Sequence, residues 1–481
     1  MTSYSYALER LKKFNDFILN NQILRDKFVL GNYNFLQIYQ VLIFNDFKFL
    51  YDEEKSPDSY LLSHNGFNFG AILKRLISVL VSILGYLYLI LSRCRILVYA
   101  SDKISDSEYQ CDFRMANLYR QLFLKKYKFV EILHTAYDEN FYNYIFRRRP
   151  ILYLESADFF YKLFKYFIPK ADRELVDALD LSIFGENAEF TRLLLRKYLA
   201  TIDKTKFRIK FLSKLLKLTD VKILICVPDA RNYHELAQSC RLNKIKTYAF
   251  QSGALCKYDV GLLDCSGHGE NIIKPDKFFL LSRYWINELL RLDSIFDRTD
   301  LAVGGDIKED RTDAGQSESR VHDGVTVLAS YETQAPKAEV RKYIEKILNC
   351  PNARLIFSIR PGRDIKTQFS EYGLENMPDN FSTADNIDKI IGDVDLVMGT
   401  QSTLLYDMIS YLKPVIVLKT EMDMLDGMIV NGLAESLDIN DSNFCNRFHS
   451  IKKTDSEILA QRKARLYEGA IPLSKTLSEI L

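Results

Sequence analysis

From Val221 onward the chain alternates between short apolar runs and amphipathic stretches, and few folds accept that order. VKILICVPD (221–229) reads as a strand ending in a polar loop, NYHELAQSCRLN (232–243) as a helix, and KTYAFQSG (246–253) as the next strand. Strand, helix, strand at this spacing is a βαβ unit, which requires a parallel sheet. A second series repeats the pattern: VTVLAS (325–330), KAEVRKYIEKIL (337–348), RLIFSIRP (354–361), the short helix NIDKIIGD (386–393), DLVMGTQST (395–403), LLYDMISYL (404–412) and PVIVLKT (414–420). Ligands of such sheets bind beyond the carboxyl ends of the strands. That rule places Asp229, Arg231, Gln251, Ser252 and Gly253 at a cleft in the first series, and Gln401, Ser402 and Thr403 at one in the second.

The expected fold class is therefore α/β, with two Rossmann-like domains, a helical N-terminal extension and C-terminal helices. At 481 residues the chain exceeds one ordinary domain. We divide it into an N-terminal domain with its extension (1–300), a linker (301–323), a second domain (324–451) and C-terminal helices (452–481). The linker reading comes from DRTDLAVGGDIKEDRTDAGQSESRVHDG (297–324), rich in Asp, Gly, Ser and Arg and poor in apolar residues. Earlier in the chain, Arg95–Ala100, Phe129–Leu133 and Ile151–Leu154 read as strands and 108–128 as a helix. Residues 1–70 show no clean period, with local order expected only over Asn32–Tyr51.

Several classes are excluded. A formal net charge of +2 is too small for a dedicated nucleic-acid binder. The eight cysteines form no CxxC pair, and Cys256 and Cys265 lack neighbours at zinc spacing, so reduced thiols and no metal are expected. The N-terminus lacks a charged-then-apolar export pattern, which points to the cytoplasm. LISVLVSILGYLYLILS (76–92) carries no charge, yet it runs directly into the strand RILVYAS and is near the lower limit for a bilayer span. A helix buried on the sheet fits best, with contact at the inner membrane surface as the second reading. The basic helix 191–217 reads as a solvated face, or as a contact with acidic headgroups. Arg147–Arg149 and Gly304-Gly305-Asp306 read as surface and turn.

The segment 393–418, DVDLVMGTQSTLLYDMISYLKPVIVL, carries the most chemistry. Between its strand and helix the first-turn amides are a natural phosphate seat, and Ser402 and Thr403 add hydroxyls. Asp407, one turn on, can accept ribose hydroxyls. The plain structural alternative is that Ser402 simply caps the helix.

With its Gly399, Ser402-Thr403, Asp407 and Lys413-Pro414-Val415-Ile416, the segment resembles the donor-binding half of GT-B glycosyltransferases. The nearest set is that of surface-polysaccharide synthesis: bacterial sialyl-, polysialyl- and Kdo-transferases and teichoic acid glycerophosphotransferases. The resemblance implies that Ser402 and Thr403 bind donor phosphate, Asp407 the ribose, and Arg360, standing where the family has His before Pro361, the phosphate charge. It further implies a nucleotide-sugar donor, CMP-linked acidic sugars being favoured, a glycan or lipid-linked acceptor, inversion, and no cofactor. In IKTYAFQSG (245–253), Ser252 stands where these enzymes have His, so His268, Asp229 and Asp259 are the candidate bases. A nucleotide-sugar 2-epimerase and a non-catalytic scaffold of polysaccharide assembly are the rival readings. Asp393-Val394-Asp395 precedes its strand, on the wrong side for a metal-binding D-x-D.

Overall fold

The computed structural model describes residues 2–30, 33–34, 36–53, 69–100, 108–134, 149–164, 173–227, 233–265, 272–308, 324–332, 335–359, 364–375, 377–387, 389–421 and 424–481. Two parallel sheets organise them. The first has seven strands, in the order Ile151–Tyr153, Phe129–Leu133, Ile96–Tyr99, Ile223–Cys226, Lys246–Phe250, Lys277–Leu280 and Leu301–Val303. The second has six, in the order Phe381–Ala384, Ala353–Ser358, Val325–Ala329, Leu396–Gly399, Val415–Leu418 and Glu435–Leu437. Every pairing in both sheets is parallel. Helices cover both faces, so the central strands are buried throughout and read in sequence as unbroken apolar runs. This is the two-domain Rossmann-like architecture expected from the sequence.

Each sheet reverses direction once. In the first the chain builds leftward from Ile96–Tyr99, then returns to lay Ile223–Cys226 on its other side; in the second the same happens between Val325–Ala329 and Leu396–Gly399. Beyond the carboxyl ends at such a reversal the flanking loops part, and a polar opening forms.

Several sequence readings need correction. Residues 3–20 are a regular helix, capped by Thr2, whose hydroxyl accepts from the Ser5 amide at 3.1 Å. Its buried positions Tyr4, Ala7, Leu11, Phe14 and Ile18 recur at helical spacing. Helix Gln37–Glu53 packs on it and also meets helix Tyr233–Arg241, which follows strand Ile223–Cys226. Leu301–Val303, read as linker, is instead the edge strand of that sheet, too short and too one-sidedly paired to show in the pattern. Arg149 is not a surface residue. Its guanidinium meets Glu131 at 2.7 Å, with Tyr119 donating to the same carboxylate, deep in the first domain.

The basic helix, Ala188–Lys217, is only partly the solvated face read from sequence: Arg196, Lys210, Lys214 and Lys217 are exposed, but three other cations turn inward to acids. Lys197 pairs with Asp46 at 2.7 Å, and Lys204 and Arg208 pair with Asp158, each at 2.6 Å. Cys350 and Cys445 form a disulfide with Cα atoms 5.5 Å apart, so the expectation of eight reduced thiols fails there. Ninety-five residues separate the two, a distance that spacing rules do not reach.

The C-terminal helices tie the halves together. Ser456–Leu466 lies between helix Arg283–Arg291 of the first half and helix Thr403–Ser410 of the second. Leu473 and Leu477 of the last helix, Leu473–Ile480, are fully buried in the core of the first domain.

Candidate functional site

Strand Leu396–Gly399 ends at the reversal of the second sheet, and Thr400, Gln401 and Ser402 turn the chain into helix Thr403–Ser410. Ser402 is the N-cap, its hydroxyl accepting from the Leu404 amide at 3.2 Å. The amides before it converge on one point, as expected of a nest at a helix start. That point is occupied from within the protein. Glu332, three residues past strand Val325–Ala329, accepts from the amides of Thr400 (2.9 Å), Gln401 (2.9 Å) and Ser402 (2.8 Å), and from the Thr400 hydroxyl. The amides read from sequence as open to a phosphate thus already hold a carboxylate. Burial pushes the Glu332 carboxyl above the ordinary carboxylate range, and these hydrogen bonds work in the opposite direction. The fit is close: a β-carbon on Gly399 would lie 2.5 Å from Glu332 Oε1.

The first sheet's opening differs in content. Beside it lies a cavity of about 860 Å³, walled by helix Gln37–Glu53, helix Ala188–Lys217, the start of helix Tyr233–Arg241, the loop Gln251–Leu262, and Gln401 from across the cleft. Within its wall Arg208 makes two hydrogen bonds to Asp158, at 2.6 and 2.9 Å, and two to Glu235, at 3.0 and 3.1 Å. Arg208 therefore answers the buried Glu235 and the half-buried Asp158 rather than facing the void bare. Burial would raise the Asp158 carboxyl, but Arg208 and Lys204 hold it below its usual range; for Glu235 burial prevails and the shift is upward.

His234, on the first turn of its helix, also lines the cavity. Burial lowers its pKa from 6.5 to about 4, so the ring is neutral at pH 7. A neutral imidazole lining a roomy cavity can accept a proton, although the lowered pKa makes it a weaker base than a free imidazole.

The sequence-chosen residues divide into three groups. Gln251, Ser252, Gly253, Asp259 and Gln401 line this one cavity. Gln251 also shapes the loop, its amide donating to the Gly253 carbonyl at 2.8 Å, while Asp259 accepts from the Cys256 amide at 2.7 Å. Thr403 and Asp407 bridge the halves. The Thr403 hydroxyl accepts from the Ala254 amide at 3.3 Å, and Asp407 pairs with Lys308 at 3.0 Å. Asp229, Arg231, His268 and Arg360 lie outside the described residues. Asp395 has a structural task, accepting from the Thr326 amide at 2.8 Å and pairing with Lys452.

Sequence reasoning missed Glu332 and His234. Glu332 had a readable signal, since it follows the first strand of its series, the position at which Asp229 was chosen in the other. His234 had none beyond standing near the start of the helix read over 232–243.

No family model matches the chain, and no curated protein does. Solved structures similar to it include the MnaA–UDP complex of S. aureus, at 12% identity and a TM-score of 0.47, covering 80% of this chain and 95% of that one. The spinosyn rhamnosyltransferase SpnG is 11% identical with a TM-score of 0.47, covering 80% of this chain and 99% of its own. MurG of Acinetobacter baumannii is 9% identical with a TM-score of 0.45, covering 80% and 95%.

Proposed function

We propose that this chain is a glycosyltransferase that takes a sugar from a nucleotide-activated donor held by the second domain and passes it to an acceptor in the cavity of the first. The observation carrying this reading is the adjacency of two unlike openings. An amide nest already suited to an oxyanion stands at one sheet reversal, and Gln401, from that nest, lines the cavity at the other. The donor's phosphate takes the place of the Glu332 carboxylate, with Ser402, Thr403 and the helix terminus as donors and Arg360 as the cation. Asp407 turns to the ribose when it leaves Lys308. The family resemblance favours a CMP-linked acidic sugar and a glycan or lipid-linked acceptor, with inversion at the anomeric carbon, on the cytoplasmic side of the inner membrane.

The acceptor hydroxyl needs a base. His268, Asp229 and Asp259 remain candidates, and we add His234, whose neutral ring faces the cavity. The leaving phosphate is stabilised by donors fixed in place before the reaction, an arrangement that costs no reorganisation at the transition state.

The test is incubation with CMP-, UDP- and CDP-linked sugars, with and without glycan or lipid-linked acceptors. Acceptor-dependent release of nucleotide supports the proposal. Conversion of the donor with no acceptor present would indicate an epimerase, and loss of neither donor nor acceptor across the panel would indicate a scaffold. Arg360→Ala is expected to abolish transfer without unfolding the protein.

A further inference from the structure

Helix Phe69–Ser92 is held firmly on one side, and on the other its described side chains, from Leu76 onward, are exposed. On the inner side it lies against strand Ile151–Tyr153, the edge of the first sheet. Ser82 accepts from the Tyr153 amide at 3.0 Å, occupying a sheet-edge donor, and contact is so close that a β-carbon on Gly85 would fall 2.2 Å from the Ile151 carbonyl oxygen. On the outer side Leu76, Leu80, Leu84, Leu87 and Leu91 are 44%, 61%, 66%, 48% and 80% exposed. Their spacing sets them in one stripe along the helix. Scattered exposed leucines are ordinary, but a continuous stripe is not. Among the described residues no helix is long and apolar enough to cross a membrane.

The surroundings of the stripe are cationic. No acidic residue occurs between Phe69 and Arg95; Lys74 and Arg75 stand near one end, Arg93 and Arg95 at the other. The helix feeds directly into strand Ile96–Tyr99, so its far end meets the amino edge of the sheet, where neighbouring strands bring up more positive charge. The Lys222 amide bonds the Arg95 carbonyl at 2.9 Å, and the Cys94 thiol bonds the Lys128 carbonyl at 3.3 Å. The side chains of Arg93, Arg95, Lys128 and Lys222 are exposed, and none forms an ion pair among the described residues.

We propose that this helix is a docking surface for an anionic lipid bilayer: the leucine stripe enters the headgroup layer and the flanking cations contact lipid phosphates. The helix lies in the plane of the interface and does not span it. A second copy of the chain is the poorer occupant, because both ends of the stripe are positive and either orientation of paired helices sets cation against cation. An anionic surface answers that charge instead. The inference goes beyond the transfer reaction and does not depend on it.

Flotation of the full chain with phosphatidylcholine vesicles, and with vesicles containing phosphatidylglycerol, tests the proposal without donor or acceptor. Binding should be at least ~10-fold stronger to the anionic vesicles and should weaken as salt rises. Leu84→Asp combined with Leu87→Asp should reduce it ~10-fold or more, with the melting temperature unchanged because both positions are exposed. Arg95→Glu with Lys128→Glu should remove the preference for anionic lipid. The proposal is overturned if the full chain binds neither vesicle, if the aspartate variant binds as well as the parent, or if sedimentation shows a dimer that the aspartate variant dissociates.

Discussion

The two sheet reversals obey one rule of chain topology and end up in opposite states. At the second, the opening is small and full: three amides and a hydroxyl close on the Glu332 carboxylate. At the first, the N-terminal helices hold the walls apart around a cavity of about 860 Å³, and the charges there are spent on one another. Topology therefore fixes where a site forms, while side chains arriving from distant segments decide whether it stands open or filled. A parallel sheet alone does not announce a ligand.

Substitutions can break this contrast. The largest effect is expected at Arg208, which separates Asp158 from Glu235 in the cavity wall. Arg208→Ala strands the buried Glu235 and leaves the half-buried Asp158 to Lys204 alone, and should cost about 3–5 kcal/mol in chemical denaturation. A loss below 1 kcal/mol would mean that the pairing matters little to the wall.

The pH response should come next, with opposite signs at the two openings. His234 has a folded pKa of about 4 against 6.5 unfolded, so its neutral form stabilises the fold above pH 6.5. That contribution is lost as pH falls toward 4, an effect of about 3 kcal/mol that His234→Phe should remove. Glu332 is shifted the other way. Its folded carboxyl keeps its proton to higher pH than in the unfolded chain, so its contribution is greatest below about pH 4.5 and declines as pH rises. Stability curves of Glu332→Gln and His234→Phe should thus diverge in opposite directions from the parent.

Smaller effects are expected at the nest and at its bridge to the first half. Glu332→Gln keeps one acceptor oxygen for the amides but replaces the oxygen that accepts from the Thr400 hydroxyl with an amide nitrogen, and should cost about 1–3 kcal/mol. Thr403→Val deletes the acceptor of the Ala254 amide across the cleft, at about 1 kcal/mol, measured by thermal melting.

What was legible in the sequence follows from burial. Strands covered on both faces, such as Val325–Ala329 and Val415–Leu418, must be apolar throughout, and their runs stand out between polar loops. Short strands with few apolar residues or without a clear flanking pattern escape notice, which is why Leu301–Val303 passed for linker and Lys277–Leu280 and Glu435–Leu437 went unseen. Helix 3–20 was hidden because Tyr4 and Phe14 keep the right spacing within a stretch otherwise crowded with polar residues. The cavity loop, Gln251 to Asp259, was found because it directly follows a plain strand. Glu332 was passed over although it too follows a plain strand, because its partners lie 68 to 70 residues away. Local pattern reports what must be buried; it is nearly silent on which distant polar groups meet.

The central claim is that the nest holding Glu332 is a seat for a nucleotide's phosphate. Thermal melting of the parent and of Glu332→Gln with CMP, UDP and CDP tests it most directly, because a ligand of the folded state raises the melting temperature by mass action. One nucleotide should stabilise the parent and stabilise Glu332→Gln more strongly, the competing carboxylate being gone. If no nucleotide moves either melting temperature, or if the parent is stabilised and the variant is not, the nest is a structural clasp and the account fails.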